Sequence, residues 1–523
     1  MHFPGTKTAI LITGMITLAV LYIIANVSSI PVSPTAGYFL SVARDMAAGK
    51  ELFTALQIDY TPLSFYLFEG WIKISGANYT RFLLLQFLFH FGNMILVYLC
   101  ARTFTAQKSI CWLFGGLYFL LTMTLDGLKF TLEPFMMFWV LGAYFYYIRS
   151  TRTIAQSCWI GILIGTAILF KQHAVLFLPA FMFMFMIDTK RFSVQTLTRI
   201  CATGLTATIP LLLFILLSGQ APYELFIALS RIGASTLHLS SAEELSRNSL
   251  QLFFSLLREF WISIPVGAFL YFRIKQQWPD TRGSLIPLIL FTITPLLLKP
   301  HMVYFQMVAP WIILLWVKVV SHCIATTEPS TSNRYLRSIL LAAAAVLGWC
   351  GYLLYNGVVI KDDTLVQFLP PAALAIFAIA SLVSKTRMGL KDGLIILSLC
   401  ALFIPAMKPL KTNYQSLKLQ KMKQFKLAAM LHEYFPRGSE VLVLNAPELH
   451  FLGKYTSPLD NYILSFQSPI SVDGTLIKDW KKVPKVIIRG KNLELEKELV
   501  DNGYTKLKTP FSNHSLLELK TKI

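Results

Sequence analysis

Apolar residues in this chain come in long unbroken runs, not in short alternating ones. About 20 such residues are what a helix needs to cross a hydrocarbon core of about 30 Å at about 1.5 Å per residue. The first run covers residues 9–30 with Lys7 on its N-terminal flank. It reads as an uncleaved anchor leading outward from the cytoplasm, since a signal peptide would have a shorter apolar part. Further runs fall at 82–103, 109–125, 132–148, 156–170, 174–188, 201–218, 257–272, 284–298, 302–320, 337–358, 364–383 and 390–407. That predicts about thirteen spanning helices. Basic residues gather between alternate runs, at Lys108, Arg149 and Arg152, Lys190 and Arg191, Arg273 and Lys275, Arg334 and Arg337, and Lys385, Arg387 and Lys391. These clusters mark the cytoplasmic side. An odd number of spans places everything after Lys408 outside.

Two segments break this rhythm. Residues 31–81 form a first outer loop. In it Phe39, Val42 and Met46 fall on one side of a short amphipathic helix, with Arg44 and Asp45 on the other, a pattern suited to lying on a membrane surface. The segment then reaches Asp59-Tyr60-Thr61-Pro62-Leu63, where the proline fixes the backbone as the next apolar stretch begins. The second segment is the tail, 410–523. Ser416–Phe435 has helical periodicity with Leu419, Met422, Phe425, Met430 and Leu431 as its apolar members. Strand-like Val441–Asn445 and Val486–Arg489, a helical Leu493–Asn502 and a closing Ser515–Lys520 follow. The expected fold class is therefore an all-α polytopic membrane protein, residues 1–409, with a small extracytoplasmic α/β C-terminal domain, residues 410–523.

Composition agrees with the pattern. The 523 residues are 55% hydrophobic and 14% charged, with a mean hydropathy of +0.58. The net charge of +20 sits mostly in the clusters flanking the spans, and no basic stripe with interleaved aromatics stands apart from them, so nucleic acid is not an expected partner. Membrane lipid is, because the tail alone carries a surplus of about seven positive charges. The seven cysteines lie in or beside apolar runs without a C-x-x-C pair and read as small buried hydrophobes.

Candidate chemistry gathers on the outer side. Ionisable groups within a span are costly, about 2.5–3.5 kcal/mol at a helix centre, so each calls for a partner or a task. Glu133 opens the 132–148 run in Thr131-Leu132-Glu133-Pro134-Phe135, where a carboxylate either complements the helix N-terminus or serves chemistry. Lys171-Gln172-His173 interrupts an otherwise apolar stretch and is either a tight outer turn or a corner whose donors hold a phosphate. Lys299-Pro300-His301 is similar in kind, and Arg81 stands at the outer start of the 82–103 run. The sequons Asn78-Tyr79-Thr80 and Asn513-His514-Ser515 are common by chance and receive no role. No internal repeat is visible, which counts against a transporter or flippase.

The order of these motifs resembles a known family. Tyr38-Phe39-Leu40-x-x-Ala43-Arg44-Asp45-Met46-x-x-Gly49, then Asp59-Tyr60-x-Pro62-Leu63, Leu132-Glu133-Pro134-Phe135 and Lys171-Gln172 together resemble the C-type glycosyltransferases. Within them they are most similar to the bacterial protein O-mannosyltransferase and aminoarabinose transferase group. The resemblance implies transfer of a sugar from a polyprenyl-phosphate donor to an extracytoplasmic acceptor, with Asp59 and Glu133 as the catalytic carboxylates. It also implies that Lys171 and Gln172 serve the donor phosphate, and the reading of the outward-facing donors adds His173, Lys299, His301 and Arg81 as candidates for the same phosphate. Some members bind a divalent metal near the first loop. Here no cluster of His, Asp and Glu has ligand spacing, and a metal stays undecided. The chain departs from the family at one place, since the acid pair expected before the aromatic pair of the first loop is replaced by Thr35 and Ala36. That leaves a second reading open, a catalytically silent relative that holds a lipid-linked sugar or assists a partner enzyme.

Overall fold

The computed structural model describes residues 17, 21–52, 60–150, 153–189, 193–218, 284–298, 302–325, 414–444, 447–455, 485–489, 497, 499–501, 504–507 and 514–519. Residues 21–26 are helical, within the first expected span. The spans expected at 257–272, 337–358, 364–383 and 390–407 lie outside the described residues.

Polar caps and prolines set where the helices begin. Helix α1 (Pro34–Ala47) starts behind Ser33, whose hydroxyl accepts from the Ala36 N–H, with Pro34 in the first turn. A second helix, α2 (Leu63–Ser75), follows Pro62. At about 20 Å it is too short to span, and the periodicity did not single it out because Glu69 and Lys73 dilute its apolar run. Asn78 caps α3 (Tyr79–Phe104) by accepting from the N–H groups of Thr80 and Arg81. The first sequon is thus spent on starting a helix. Helix α4 (Lys108–Thr122) passes into a wide π turn, Met123–Gly127. Helices α5 (Glu133–Arg149) and α6 (Ile154–Phe170) follow, the second capped by Thr153.

The next two expected spans are each divided. Residues 172–189 form a 3-10 turn, Gln172–Leu176, and then α7 (Phe177–Thr189). Behind the Ser193 cap come α8 (Val194–Ala207) and α9 (Ile209–Ser218). The break between them is close upstream of Pro210, whose missing N–H cannot continue the ladder. Helix α10 (Ile286–Leu298), a 3-10 turn (Met302–Tyr304) and α11 (Phe305–Ala325) complete the described bundle. The apolar stretches at Tyr79–Phe104, Val194–Ser218 and Phe305–His322 are each long and apolar enough to cross a membrane.

Packing centres on α3, which lies against α4, α5 and α11, while α5 lies against α6 and α6 against α8. Trp311 and Trp316 of α11 are fully buried. The α6–α8 crossing is close because of Gly161 and Gly165: a Cβ at Gly165 would run into the Ala207 backbone, and one at Gly161 into Thr203 and Thr206.

In the tail, α12 (Tyr414–Leu431) precedes β1 (Leu442–Leu444), α13 (Pro447–Leu452), β2 (Lys485–Arg489), β3 (Tyr504–Lys506) and β4 (His514–Leu519). The strands form one sheet in the order β1-β2-β4-β3, parallel between β1 and β2 and antiparallel elsewhere. Val443, Ile487 and Leu516 are register partners across it and share a core with Leu431, Phe435, Leu449 and Tyr455. Helix α13 and strand β3 were not expected. Residues 497 and 499–501 are helical, as read from Leu493–Asn502.

One expectation is corrected. Helix α1 does not rest on a surface with its polar side in water: Phe39, Val42 and Met46 are buried, and so is Asp45. The polar side is covered by α13 of the tail and the apolar side by α2. The physical reason is that both sides found partners. The tail supplies backbone carbonyls for Arg44, and the helices behind supply aromatic rings.

Candidate active site

Glu133 lies in the first turn of α5, 1% exposed, and Lys171 terminates α6 with an extended backbone, 7% exposed. The Lys171 ammonium donates to Glu133 Oε1, an ion pair between two helix ends 38 residues apart. The two halves of this pair are set by local sequence. Pro134 opens α5 without losing a donor that a helix would use. Beyond Lys171 the chain turns at once into the 3-10 segment, which keeps the ammonium at the corner. A buried carboxylate without a cation, or a buried ammonium without an anion, carries a desolvation cost of several kcal/mol. The pair is thus mutually obligatory.

Aromatic rings close around it. The Lys171 ammonium lies 5.1 Å from the centroid of the Tyr304 ring, and the His173 ring lies 5.0 Å from the same centroid. Tyr304 ends the 3-10 turn before α11, so a third stretch of sequence joins the corner. Gln172 presents a buried Oε1 that makes no hydrogen bond. Gln306, at the start of α11, donates to the Leu125 carbonyl at 2.6 Å, which ties the π turn after α4 to the same end of the bundle.

The loop that delivers Glu133 is held by a glutamine inside an apolar helix. Gln86 of α3 donates to the carbonyls of Gly127 and Lys129, each at 2.9 Å, and accepts from the Thr131 N–H at 2.7 Å. Asn93, two turns on, donates to the Pro134 carbonyl at 2.9 Å. Both side chains are fully buried. They fix the backbone on either side of Glu133.

Below the pair lies a cluster of phenylalanines that connects it to the first outer segment. Phe130 packs on Phe68 at 5.2 Å and on Phe39 at 6.3 Å, Phe68 packs on Phe135 at 5.3 Å, and Phe135 stacks on Phe170 at 6.3 Å. Tyr60 leans on Phe39 at 4.9 Å. Asp59, its chain neighbour, lies outside the described residues, as do Lys299 and His301.

The structure therefore brings together Glu133, Lys171 and His173, with Gln172 next to them in the chain. Arg81 is not joined to them by its described bonds. Its guanidinium donates to the Ser75 carbonyl at the end of α2, and its own carbonyl accepts from the Trp71 indole. Tyr304 and Gln86 were missed by sequence reading, although a glutamine in the middle of an apolar run was a usable signal. Among the described residues no group of three or more His, Cys, Asp and Glu is placed to hold a metal ion.

A second cationic cluster joins α1 to the tail. Arg44 donates to the carbonyls of His450 and Phe451, each at 3.4 Å, and to that of Tyr455, while also contacting Asp45 Oδ1 at 3.2 Å. Lys50 reaches Asp45 Oδ2 at 3.5 Å.

This arrangement can be set beside known proteins. Residues 59–217 match the family model described as dolichyl-phosphate-mannose-protein mannosyltransferase. Over its length the chain is similar to the structure of ArnT from Cupriavidus metallidurans bound to undecaprenyl phosphate. That match has a TM-score of 0.57 and 12% identity and covers 96% of this chain and 97% of that one. The apo state of the same protein gives a TM-score of 0.54 at 11% identity, covering 96% of each. The chain has the fold of ArnT. It is accordingly a multi-pass membrane protein, and the matched stretch, 59–217, contains both Glu133 and Lys171. A comparison with curated protein sequences gave no match.

Proposed function

We propose that the protein transfers a sugar from a polyprenyl-phosphate donor to an acceptor outside the cytoplasmic membrane. The observation that carries this reading is the buried Glu133–Lys171 pair at the helix corner, with Tyr304 against the ammonium and His173 against Tyr304. In the reaction the bond between the sugar's anomeric carbon and the phosphate oxygen breaks, and its electron pair stays with the phosphate. An acceptor oxygen forms the new bond, and a carboxylate takes the acceptor's proton. The leaving lipid phosphate gains a negative charge as it departs, so a cation fixed at that point stabilises the transition state more than the ground state. Lys171 is the cation we assign to this task, and its burial beside Glu133 supports the assignment. The incoming phosphate competes with Glu133 for the ammonium and so frees the carboxylate beside the oxocarbenium-like sugar.

Asp59 is the second carboxylate in this reading and the proposed base. Lys299, His301 and Arg81 are assigned to the donor phosphate as further cationic or donor groups expected on the outer side. The similar ArnT structure holds undecaprenyl phosphate, and that supports a polyprenyl phosphate as the donor's lipid. We also propose that the tail is an extracytoplasmic domain of its own, residues 410–523, seated on the first outer loop.

The test is transfer of labelled sugar from a polyprenyl-phosphate donor by the purified full-length protein, with D59N, E133Q and K171Q beside it. The expected result is transfer by the wild type and a loss of about 10²-fold or more in each variant. Full activity in all three would remove these residues from the reaction.

A second reading, a silent relative that holds the donor, is favoured by Ala36. It stands where the family places an acid, and it is fully buried in the first turn of α1. A glutamate there would enter an apolar setting without a cation. T35D/A36E distinguishes the two: activity appearing from zero supports the silent reading, and unchanged activity supports the first.

A further inference from the structure

Helix α12, Tyr414–Leu431, carries Lys418, Lys421, Lys423 and Lys426 and contains no Asp or Glu. It is held along one edge. Gln424 accepts from the Val32 N–H and donates to the Val32 carbonyl, both at 3.0 Å. Lys421 donates to the Ser28 carbonyl at 2.6 Å and to Thr80 Oγ1 at 3.3 Å, and Ala428 and Leu431 turn inward. Leu419 and Met422 lie away from this edge and Phe425 borders it, its ring 5.9 Å from the Lys421 ammonium; the three repeat at three-residue intervals and are 55%, 60% and 49% exposed.

The edge contacts fix where the helix sits. Ser28 and Val32 lie at the outer end of the first apolar run, and Thr80 is in the first turn of α3, which is long enough to span. Helix α12 is therefore at the level where the chain enters the bilayer. A row of large apolar side chains left open at that level, on a helix rich in lysine and glutamine, has the composition of an in-plane interfacial helix. Helical spacing puts Lys418 and Lys426 beside the row, so their stems extend it while their ammonium groups reach outward. Lys421 is different: burial lowers its pKa, and its bonds to Ser28 and Thr80 make it the strut and not the sensor.

We propose that α12 lies in the bilayer interface, with Leu419, Met422 and Phe425 among the lipid chains and Lys418, Lys423 and Lys426 on the phosphates of anionic phospholipid. The tail is then seated on the membrane as well as on α1. This placement does not depend on the transfer reaction.

The full-length protein carrying p-benzoylphenylalanine at Met422, or at exposed Gln420 on another side of the helix, is placed in nanodiscs. The discs hold phosphatidylcholine alone or with phosphatidylglycerol, and photoadducts are read by intact mass. Lipid adducts are expected mainly at position 422, and more of them with phosphatidylglycerol. K418Q/K423Q/K426Q should remove that lipid preference, since each lysine near an anionic surface is worth roughly fivefold. Glycerol 3-phosphate in the buffer should not compete. Equal lipid adducts at 420 and 422, adducts to another protein in native membranes, or competition by glycerol 3-phosphate would overturn the proposal. Each outcome is independent of whether sugar is transferred.

Discussion

Two carboxylate–cation clusters occupy this end of the molecule, and they are built on opposite principles. At Glu133–Lys171 each charge has the other as its ionic partner, and both are buried between helix ends. At Asp45 the carboxylate receives two cations, Arg44 and Lys50, and Arg44 spends most of its donors on three backbone carbonyls of the tail. The first cluster is a closed pair that a third anion can disturb. The second is a satisfied network that joins two distant pieces of chain. Only the first has the unsettled balance that chemistry with a phosphate needs. The second has the redundancy of a fastening.

The largest expected effect breaks the closed pair. Lys171→Ala strands a buried carboxylate and should cost about 3–5 kcal/mol, read as a fall in the unfolding midpoint of the detergent-solubilised protein. The double variant E133Q/K171M removes both charges and should recover most of that stability while remaining inactive in sugar transfer. Recovery of stability together with activity would make the pair purely structural and erase the contrast with Asp45.

Next comes the fastening. Arg44→Ala should cost about 1.5–3 kcal/mol, the range for hydrogen bonds to a charged group. The loss should be local, with faster amide exchange over 447–455 and little change in α3 or α5. Arg44→Lys should not restore it, because one ammonium cannot replace a planar fork that reaches three carbonyls. Faster exchange at α5 instead would mean that the two clusters act as one.

A smaller effect is expected from Gln86→Leu, about 1–3 kcal/mol, because the Thr131 N–H is left buried without its acceptor. Here activity is the sharper readout. If the Gln86 bonds position Glu133, transfer should fall in kcat with KM little changed, and Gln86→Glu, which keeps the acceptor for Thr131, should recover part of it.

The same contrast explains what the sequence could and could not disclose. Glu133 and Lys171 were legible because each is a polar residue at the boundary of an apolar run, where insertion cost makes any charge conspicuous. Their pairing was not, since nothing in the spacing of residues 38 apart states that two helix ends meet. The helices themselves were legible to within a few residues at α3, α5 and α6, where a polar cap or a proline marks the start. The breaks were less so: the division at Thr208 follows from Pro210, and α2 was hidden because Glu69 and Lys73 interrupt its hydropathy. The role of Arg44 was out of reach, because its partners are main-chain carbonyls 406 and more residues away, and a carbonyl has no sequence signature.

Those two residues of α2 supply the smallest expected effect and a calibration for the rest. Lys73 donates to Glu69 at 2.6 Å, one helical turn apart, with the lysine side chain 60% exposed. The distance is short, yet water screens the charges and two long side chains are ordered to make the contact. Glu69→Gln should therefore cost only about 0.3–0.5 kcal/mol, and that difference should vanish in about 1 M salt, where the screening length is about 3 Å. The Lys171→Ala loss should persist in the same salt, because ions do not enter the buried corner. If both losses faded with salt alike, Lys171 would be accessible to solvent and the closed pair would be open. A distance alone does not separate the two pairs, but their response to salt does.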